Sequence, residues 1–265
     1  MTAPAAASAA DPAERLETLC TEFKLPTLKT ELAQRLRDAG LDEGLDIVVE
    51  AFELEASDRQ QRRVDRLRRA SLLPPGKTFD SLELDRLPRK LQVQLRDLAR
   101  GRFIERSGNV LAFGLPGAGK THAMIALGHA LVDRGVSVYF TPAFKLVQQL
   151  LAAKRDLELP RLLRKLDRFD VIVLDDLGYV QQSAEDAEVL FTLMAERYER
   201  RSLVVTSNLV FSQWDRIFGN PMATAAAIDR VVHHSVILEF DAPSKRAEDA
   251  AAATGDSADT EERAG

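Results

Sequence analysis

The chain has 265 residues, 45% of them hydrophobic, with a single cysteine and a formal net charge of -5. That length suits one full α/β domain with a small accessory domain, and the lone Cys20 excludes a disulfide framework or a multi-cysteine zinc site and fits a reducing cytoplasm. No apolar run approaches the ~20 residues that a bilayer crossing needs, so no membrane partner is expected, and the net acidity argues against a general polyanion binder except where basic residues cluster.

Residues 1–10 are Ala-rich, lack the basic and apolar regions of a signal peptide, and read as a disordered leader. A helix is announced by Asp11-Pro12-Ala13-Glu14, a capping acid, a proline at the first helical position and a reciprocal glutamate. Leu16, Leu19, Cys20 and Phe23 line its face, and Pro26 ends it. Leu28, Leu32 and Leu36 form a second helical stripe up to Gly40, and a third helix starts near Asp42 with Leu45, Val48, Val49 and Phe52 on its buried side. The third helix turns polar after Glu55. Its arginines Arg59, Arg62, Arg63, Arg66 and Arg69 recur at three- and four-residue steps, which sets most of them along one side. At ~1.5 Å per residue the stripe is about 15 Å long, a length comparable to several successive phosphates of duplex DNA. The alternative reading is a solvated face paired to Glu55, Asp58 and Asp65. Residues 11–73 therefore read as a helical N-terminal domain for DNA or a partner, and residues 74–109 as a linker, opened by Pro74-Pro75-Gly76, with an entry helix.

From Val110 short apolar runs alternate with helical segments, the signature of βαβ units around a parallel sheet. Strands are expected at 110–113, 136–140, 171–174, 203–206 and 236–240, giving an α/β domain over 110–241. Thr141-Pro142 and Ser183-Ala184-Glu185-Asp186 read as helix starts. Residues 242–265 have almost no apolar bulk and read as a disordered acidic tail. No internal repeat is present.

Gly114-Leu115-Pro116-Gly117-Ala118-Gly119-Lys120-Thr121 fits the G-x-x-x-x-G-K-[ST] pattern between a predicted strand and a predicted helix. Such a loop curls so that backbone N–H groups meet phosphate oxygens at a helix N-terminus. The cradle is expected to comprise Gly114, Pro116, Gly117, Ala118, Gly119, Lys120, Thr121 and His122, with Lys120 on the β and γ phosphates and the Thr121 hydroxyl on Mg2+. The ligands expected are therefore ATP and Mg2+. Asp175 and Asp176 close the apolar run Val171-Ile172-Val173-Leu174; Asp175 is expected to hold the metal and Asp176 to orient or deprotonate the attacking water, unless the two acids are turn residues.

Asn208, at the end of the next strand, is placed to touch the γ phosphate or the water, or else is a turn asparagine. Arg230 is read either as a cation offered to a neighbouring subunit's nucleotide or as a surface arginine paired to Asp229 or Asp241. His122 and the pair His233-His234 lack a third donor at metal-ligand spacing and read as surface or packing histidines. Trp214, Phe191, Phe211 and Phe218 are assigned to packing.

Together these residues resemble the IstB family, ATPase helpers of bacterial transposition, and more distantly the DnaC helicase loaders. The resemblance runs from about Leu19 to Asp241 and is most specific in Asp175-Asp176-Leu177-Gly178-Tyr179, Arg197-Tyr198-Glu199-Arg200, Thr206-Ser207-Asn208-Leu209 with Trp214, and Asp229-Arg230. It implies a P-loop AAA+ (ASCE) domain with a five-stranded parallel sheet behind a small all-α domain. It also implies a homo-oligomeric ATPase that binds double-stranded DNA and serves an IstA-like partner transposase, or alternatively a replicative helicase. Matching positions make Asn208 the sensor-1 residue and Arg230 the arginine finger. Two positions depart from the family pattern: Asp176 stands where glutamate is frequent, and Ser244-Lys245-Arg246 replaces a Ser-aromatic-Arg signature. A P-loop small-molecule kinase is the competing enzyme class, but no acceptor pocket or arginine-bearing lid is evident in the sequence.

Overall fold

The computed structural model describes residues 11–179, 183–219 and 221–241, so the expected leader, acidic tail and Arg246 lie outside the described residues. The chain divides into two compact units, one ending at Asp65 and the other beginning at Arg66.

In the first unit, α1 (Pro12–Glu22) begins with Pro12 in its first turn and the Asp11 carboxylate accepting from Ala13 N at 3.2 Å. Leu16, Leu19 and Cys20 are buried, as their spacing requires. Pro26 does more than end this helix: it opens α2 (Pro26–Asp38), where a missing N–H costs nothing because that donor would be unpaired anyway. Between them Lys24 adopts φ 58°, the left-handed conformation that reverses the chain. Helix α3 (Asp42–Ser71) starts where expected and continues unbroken for 30 residues. Phe23 stacks on Phe52 at 5.6 Å between centroids, and the Arg59 guanidinium lies 4.2 Å from the Phe23 ring centre. The boundary between the units falls inside α3, upstream of Pro74-Pro75-Gly76.

The second unit contains α4 (Arg89–Leu98), whose Leu91, Leu95 and Leu98 are buried, and then a five-stranded sheet. Its strands are β1 (Asn109–Gly114), β2 (Val138–Pro142), β3 (Val171–Asp175), β4 (Ser202–Ser207) and β5 (Ser235–Phe240), in spatial order β2-β3-β4-β1-β5. All pairings are parallel. Near-continuous apolar runs such as Val171-Ile172-Val173-Leu174 arise because helices cover both faces of such a sheet. The connecting helices are α5 (Lys120–Asp133), α6 (Ala143–Arg155), α7 (Leu159–Leu166), α8 (Ala184–Arg197), the single turn α9 (Asp215–Phe218) and α10 (Pro221–Val232).

Strand β2 starts two residues later than the apolar run suggests, because Ser137 is engaged by Asp170, whose Oδ2 accepts from the Ser137 hydroxyl at 2.6 Å and its N–H at 3.1 Å. Thr141 is not a helix cap. It is a buried strand residue opposite Leu174, and α6 follows Pro142 directly. Ser183 does cap α8, accepting from Asp186 N at 3.0 Å. Trp214 is fully buried between Phe113, Phe211 and Phe218, which confirms its packing role.

Candidate nucleotide site

Strands β1, β3 and β4 are adjacent and parallel, so their C-terminal ends deliver residues to one edge, the place where open α/β sheets bind ligands. Strand β1 runs into the glycine loop. Gly114 has φ 149°, and a Cβ there would stand 2.3 Å from the carbonyl oxygen of Phe240, so no other residue allows the loop to leave the sheet this way. Gly119, at φ 92°, turns the loop into the first residue of α5. Lys120 is 5% exposed, and its ammonium donates to the carbonyls of Gly114 at 2.7 Å and Leu115 at 2.9 Å. The cation is thereby folded over the loop's own backbone.

Two strand ends and the start of α5 meet at one carboxylate. Asp175 Oδ1 accepts from the Thr121 hydroxyl at 2.8 Å and from the Thr206 hydroxyl at 2.7 Å. The Thr206 oxygen in turn accepts from Asp176 N at 2.8 Å. Asp175 is 8% exposed, and a hydroxyl beside a buried carboxylate is the all-oxygen donor set that a hard divalent cation such as Mg2+ takes. Thr121 and Asp175 therefore fit that ion. Asp176 holds φ 56°, a left-handed conformation that costs a β-carbon residue energy and recurs at functional sites. Asn208 packs so closely on Gly178 that a Cβ on the glycine would lie 2.0 Å from Asn208 Oδ1. That oxygen is buried without a hydrogen-bond partner, an arrangement that costs about 1–3 kcal/mol until something donates to it.

The structure thus brings Lys120, Thr121, Asp175, Asp176 and Asn208 to one edge. It places others elsewhere. His122 points to the segment before α4, its Nε2 lying 3.0 Å from the Ser81 hydroxyl and 3.3 Å from the Thr78 carbonyl. Arg230 Nη1 donates to Ala226 O at 2.9 Å and its guanidinium lies 4.8 Å from the Phe191 ring centre, so its contacts are with α10 and α8. The paired reading with Asp229 or Asp241 has no such contact in the structure. Arg59, Arg62, Arg63, Arg66 and Arg69 are all exposed on α3. Glu55 takes two of them, Arg59 at 2.6 Å and Arg62 at 3.3 Å, and hydrogen bonding from Arg59 holds the Glu55 carboxyl below its usual range.

Thr206 and Gly178 stand within the motifs quoted for the family resemblance, which assigns neither of them a role. For Thr206 the local signal is a hydroxyl near the end of β4, two positions before Asn208. The need for glycine at 178 depends on a contact across 30 residues and left no local trace.

Sheet order, glycine loop and acid pair define a P-loop ATP-binding domain of the AAA+ type. The family description "IstB-like ATP binding protein" matches residues 16–253, and the chain belongs to that family. It is 39% identical over 235 residues to an insertion-sequence ATP-binding protein of Sinorhizobium fredii, covering 88% of this chain and 79% of the relative. To the IS21 insertion-sequence ATP-binding protein of Pseudomonas aeruginosa it is 35% identical, covering 87% and 88%. The fold resembles that of replication initiator DnaA, solved with AMPPCP and single-stranded DNA, at TM-score 0.55 and 16% identity over 65% of this chain. The match spans about half of the initiator, 52% of its length.

Proposed function

We propose that this protein is an ATP-hydrolysing transposition helper that assembles as a homo-oligomer on double-stranded DNA and recruits or stimulates an IstA-like partner transposase. The observation that carries the enzymatic part is the hydroxyl–carboxylate–hydroxyl chain Thr121–Asp175–Thr206, with Asp176 and Asn208 beside it at the mouth of the glycine loop.

Lys120 exchanges its two carbonyl acceptors for the β and γ phosphate oxygens when ATP enters. Thr121 and Asp175 hold Mg2+, which supplies charge neutralisation on the phosphates. The backbone at Asp176 is fixed by Thr206, so its carboxylate meets the attacking water in one geometry. The buried Asn208 oxygen accepts from that water and orients it. Arg230 serves a neighbouring subunit's site. The arginines of α3 neutralise phosphates without reading bases, since the stripe carries no interleaved aromatics. The family's relatives in insertion sequences favour a transposase over a replicative helicase as the partner.

The reading is tested by measuring phosphate release from ATP by wild type and Lys120→Ala, with and without duplex DNA. Wild type is expected to turn over with Mg2+ and faster on DNA, while Lys120→Ala shows neither turnover nor thermal stabilisation by Mg·ATP. Equal turnover by both proteins contradicts it.

A further inference from the structure

The histidine pair His233-His234 lies in the turn between α10 and β5, and the sequence reading assigns it no third donor. The fold supplies one. Glu199, in the turn after α8, is brought alongside, and one ligand atom from each of Glu199, His233 and His234 falls within 4.8 Å of the other two. Among the described residues this is the only group of three potential ligands so disposed. We propose that Glu199, His233 and His234 form a surface site for a divalent first-row transition metal of the zinc type, separate from the Mg2+ position at Thr121 and Asp175.

Four features support it. The donors are two imidazoles and a carboxylate, the set that borderline ions such as Zn2+ prefer, whereas Mg2+ and Ca2+ take all-oxygen shells. The atoms are close to working distance already. Around a tetrahedral ion with bonds of about 2.0–2.1 Å, ligand atoms stand about 3.3 Å apart, so small side-chain rotations suffice. All three side chains are exposed, which leaves the ion an entry path and room for water as a fourth ligand.

The backbone beneath is fixed on both sides, too. The His234 carbonyl accepts from Asn109 N at 3.3 Å, and His233 N donates to Asp229 O at 3.1 Å. On the other side Arg200 N and Arg201 N donate to Arg197 O at 3.0 and 2.9 Å, and the Arg197 side chain is itself buried. Glu199 and His234 both adopt left-handed φ, 56° and 60°, which turns their side chains out at the two facing corners.

Without metal the same groups satisfy one another weakly. His233 Nδ1 is 2.9 Å from the Tyr198 hydroxyl and 3.7 Å from Glu199 Oε1, and the centres of the two imidazole rings, tilted by 38°, are 4.0 Å apart. His233 Nδ1 is the ring nitrogen that faces Glu199, so an ion held there takes the place of the Tyr198 hydroxyl as its partner. An ion there ties the end of α10, just past Arg230, to the end of α8.

The test is calorimetric titration of the untagged, chelator-stripped, nucleotide-free full chain with ZnCl2, repeated in excess MgCl2. One Zn2+ per chain is expected, not displaced by Mg2+, with a rise in melting temperature. Glu199→Gln, His233→Gln and His234→Gln each weaken it by about tenfold or more, since loss of even an outer-shell partner costs that much. Their melting without zinc matches wild type, because each side chain is exposed. Absence of stoichiometric zinc binding, or binding undiminished in the three variants, overturns the proposal; visible absorption of the wild-type Co2+ complex, lost in the variants, reads the same site independently.

Discussion

Residues at the nucleotide site are held by contacts that a motif does not encode. Asp175 and Thr121 are 54 positions apart and Asp175 and Thr206 are 31 apart, yet all three share one hydrogen-bonded cluster because β1, β3 and β4 end at the same edge. The loop, the acid pair and Asn208 were readable because their chemistry constrains residue type at short spacing. Gly178 was not, because its constraint is the amide of Asn208. A methyl group there must push that amide aside. Gly178→Ala is therefore expected to bind Mg·ATP like wild type and to lose about a hundredfold to a thousandfold in turnover, the range for losing one polar group from a transition state. Steady-state kinetics with a parallel nucleotide titration checks it. Loss of affinity with unchanged turnover assigns the glycine to binding instead. Cys20 belongs at this scale also: burial raises its thiol pKa, so it stays protonated and inert near neutral pH.

At the scale of elements, Arg197 at the end of α8 is the side chain whose role the family resemblance left unspecified. It is 2% exposed and donates to four backbone carbonyls: Leu166, Phe169, Asp170 and Ser202. It thereby ties the end of α7 and the entries to β3 and β4 to α8. Desolvation pushes its pKa down to about 9, still above neutral, so it remains charged and donating at physiological pH. Arg197→Met removes the donor those carbonyls share; Leu166 O and Asp170 O keep backbone donors, and the acceptors left unpaired are expected to destabilise the domain by about 1–3 kcal/mol, measured as a fall in the urea midpoint. A change under 1 kcal/mol, on the order of an exposed ion pair, contradicts this role.

Helix α3 is the second element with a distinct expectation. Its polar stretch was legible from sequence, whereas the partial neutralisation of Arg59 and Arg62 by Glu55 was not, since a helix face shows spacing but not rotamers. Replacing Arg62, Arg63 and Arg66 together with Gln should weaken binding to unrelated duplexes about equally and flatten its salt dependence. Wild-type binding across a salt titration assigns the stripe to solvent or to a protein partner.

Over the whole molecule, helix and strand periodicity carried the architecture: an all-α unit, then five parallel strands in the order β2-β3-β4-β1-β5. Strand order itself cannot be read from periodicity and appears only in the folded sheet. The structural boundary at Asp65 and Arg66 was hidden because α3 passes through it without a break. The Glu199, His233 and His234 cluster was hidden for the same reason as Gly178: its members meet only in the folded chain. No helix among the described residues is long and apolar enough to cross a membrane.

In the proposed mechanism Asp176→Asn separates nucleotide binding from hydrolysis, since Asp175 and Thr121 would keep the metal while the group proposed to face the water loses its charge. Sedimentation of Asp176→Asn with Mg·ATP and duplex DNA, alongside its ATP turnover, tests the central claim most directly. The expected result is turnover lowered by two orders of magnitude or more, on the order of other catalytic acid–base losses, with large DNA-bound assemblies that persist while ATP is present. Turnover at the wild-type rate, or sedimentation on DNA that ignores ATP, would contradict it.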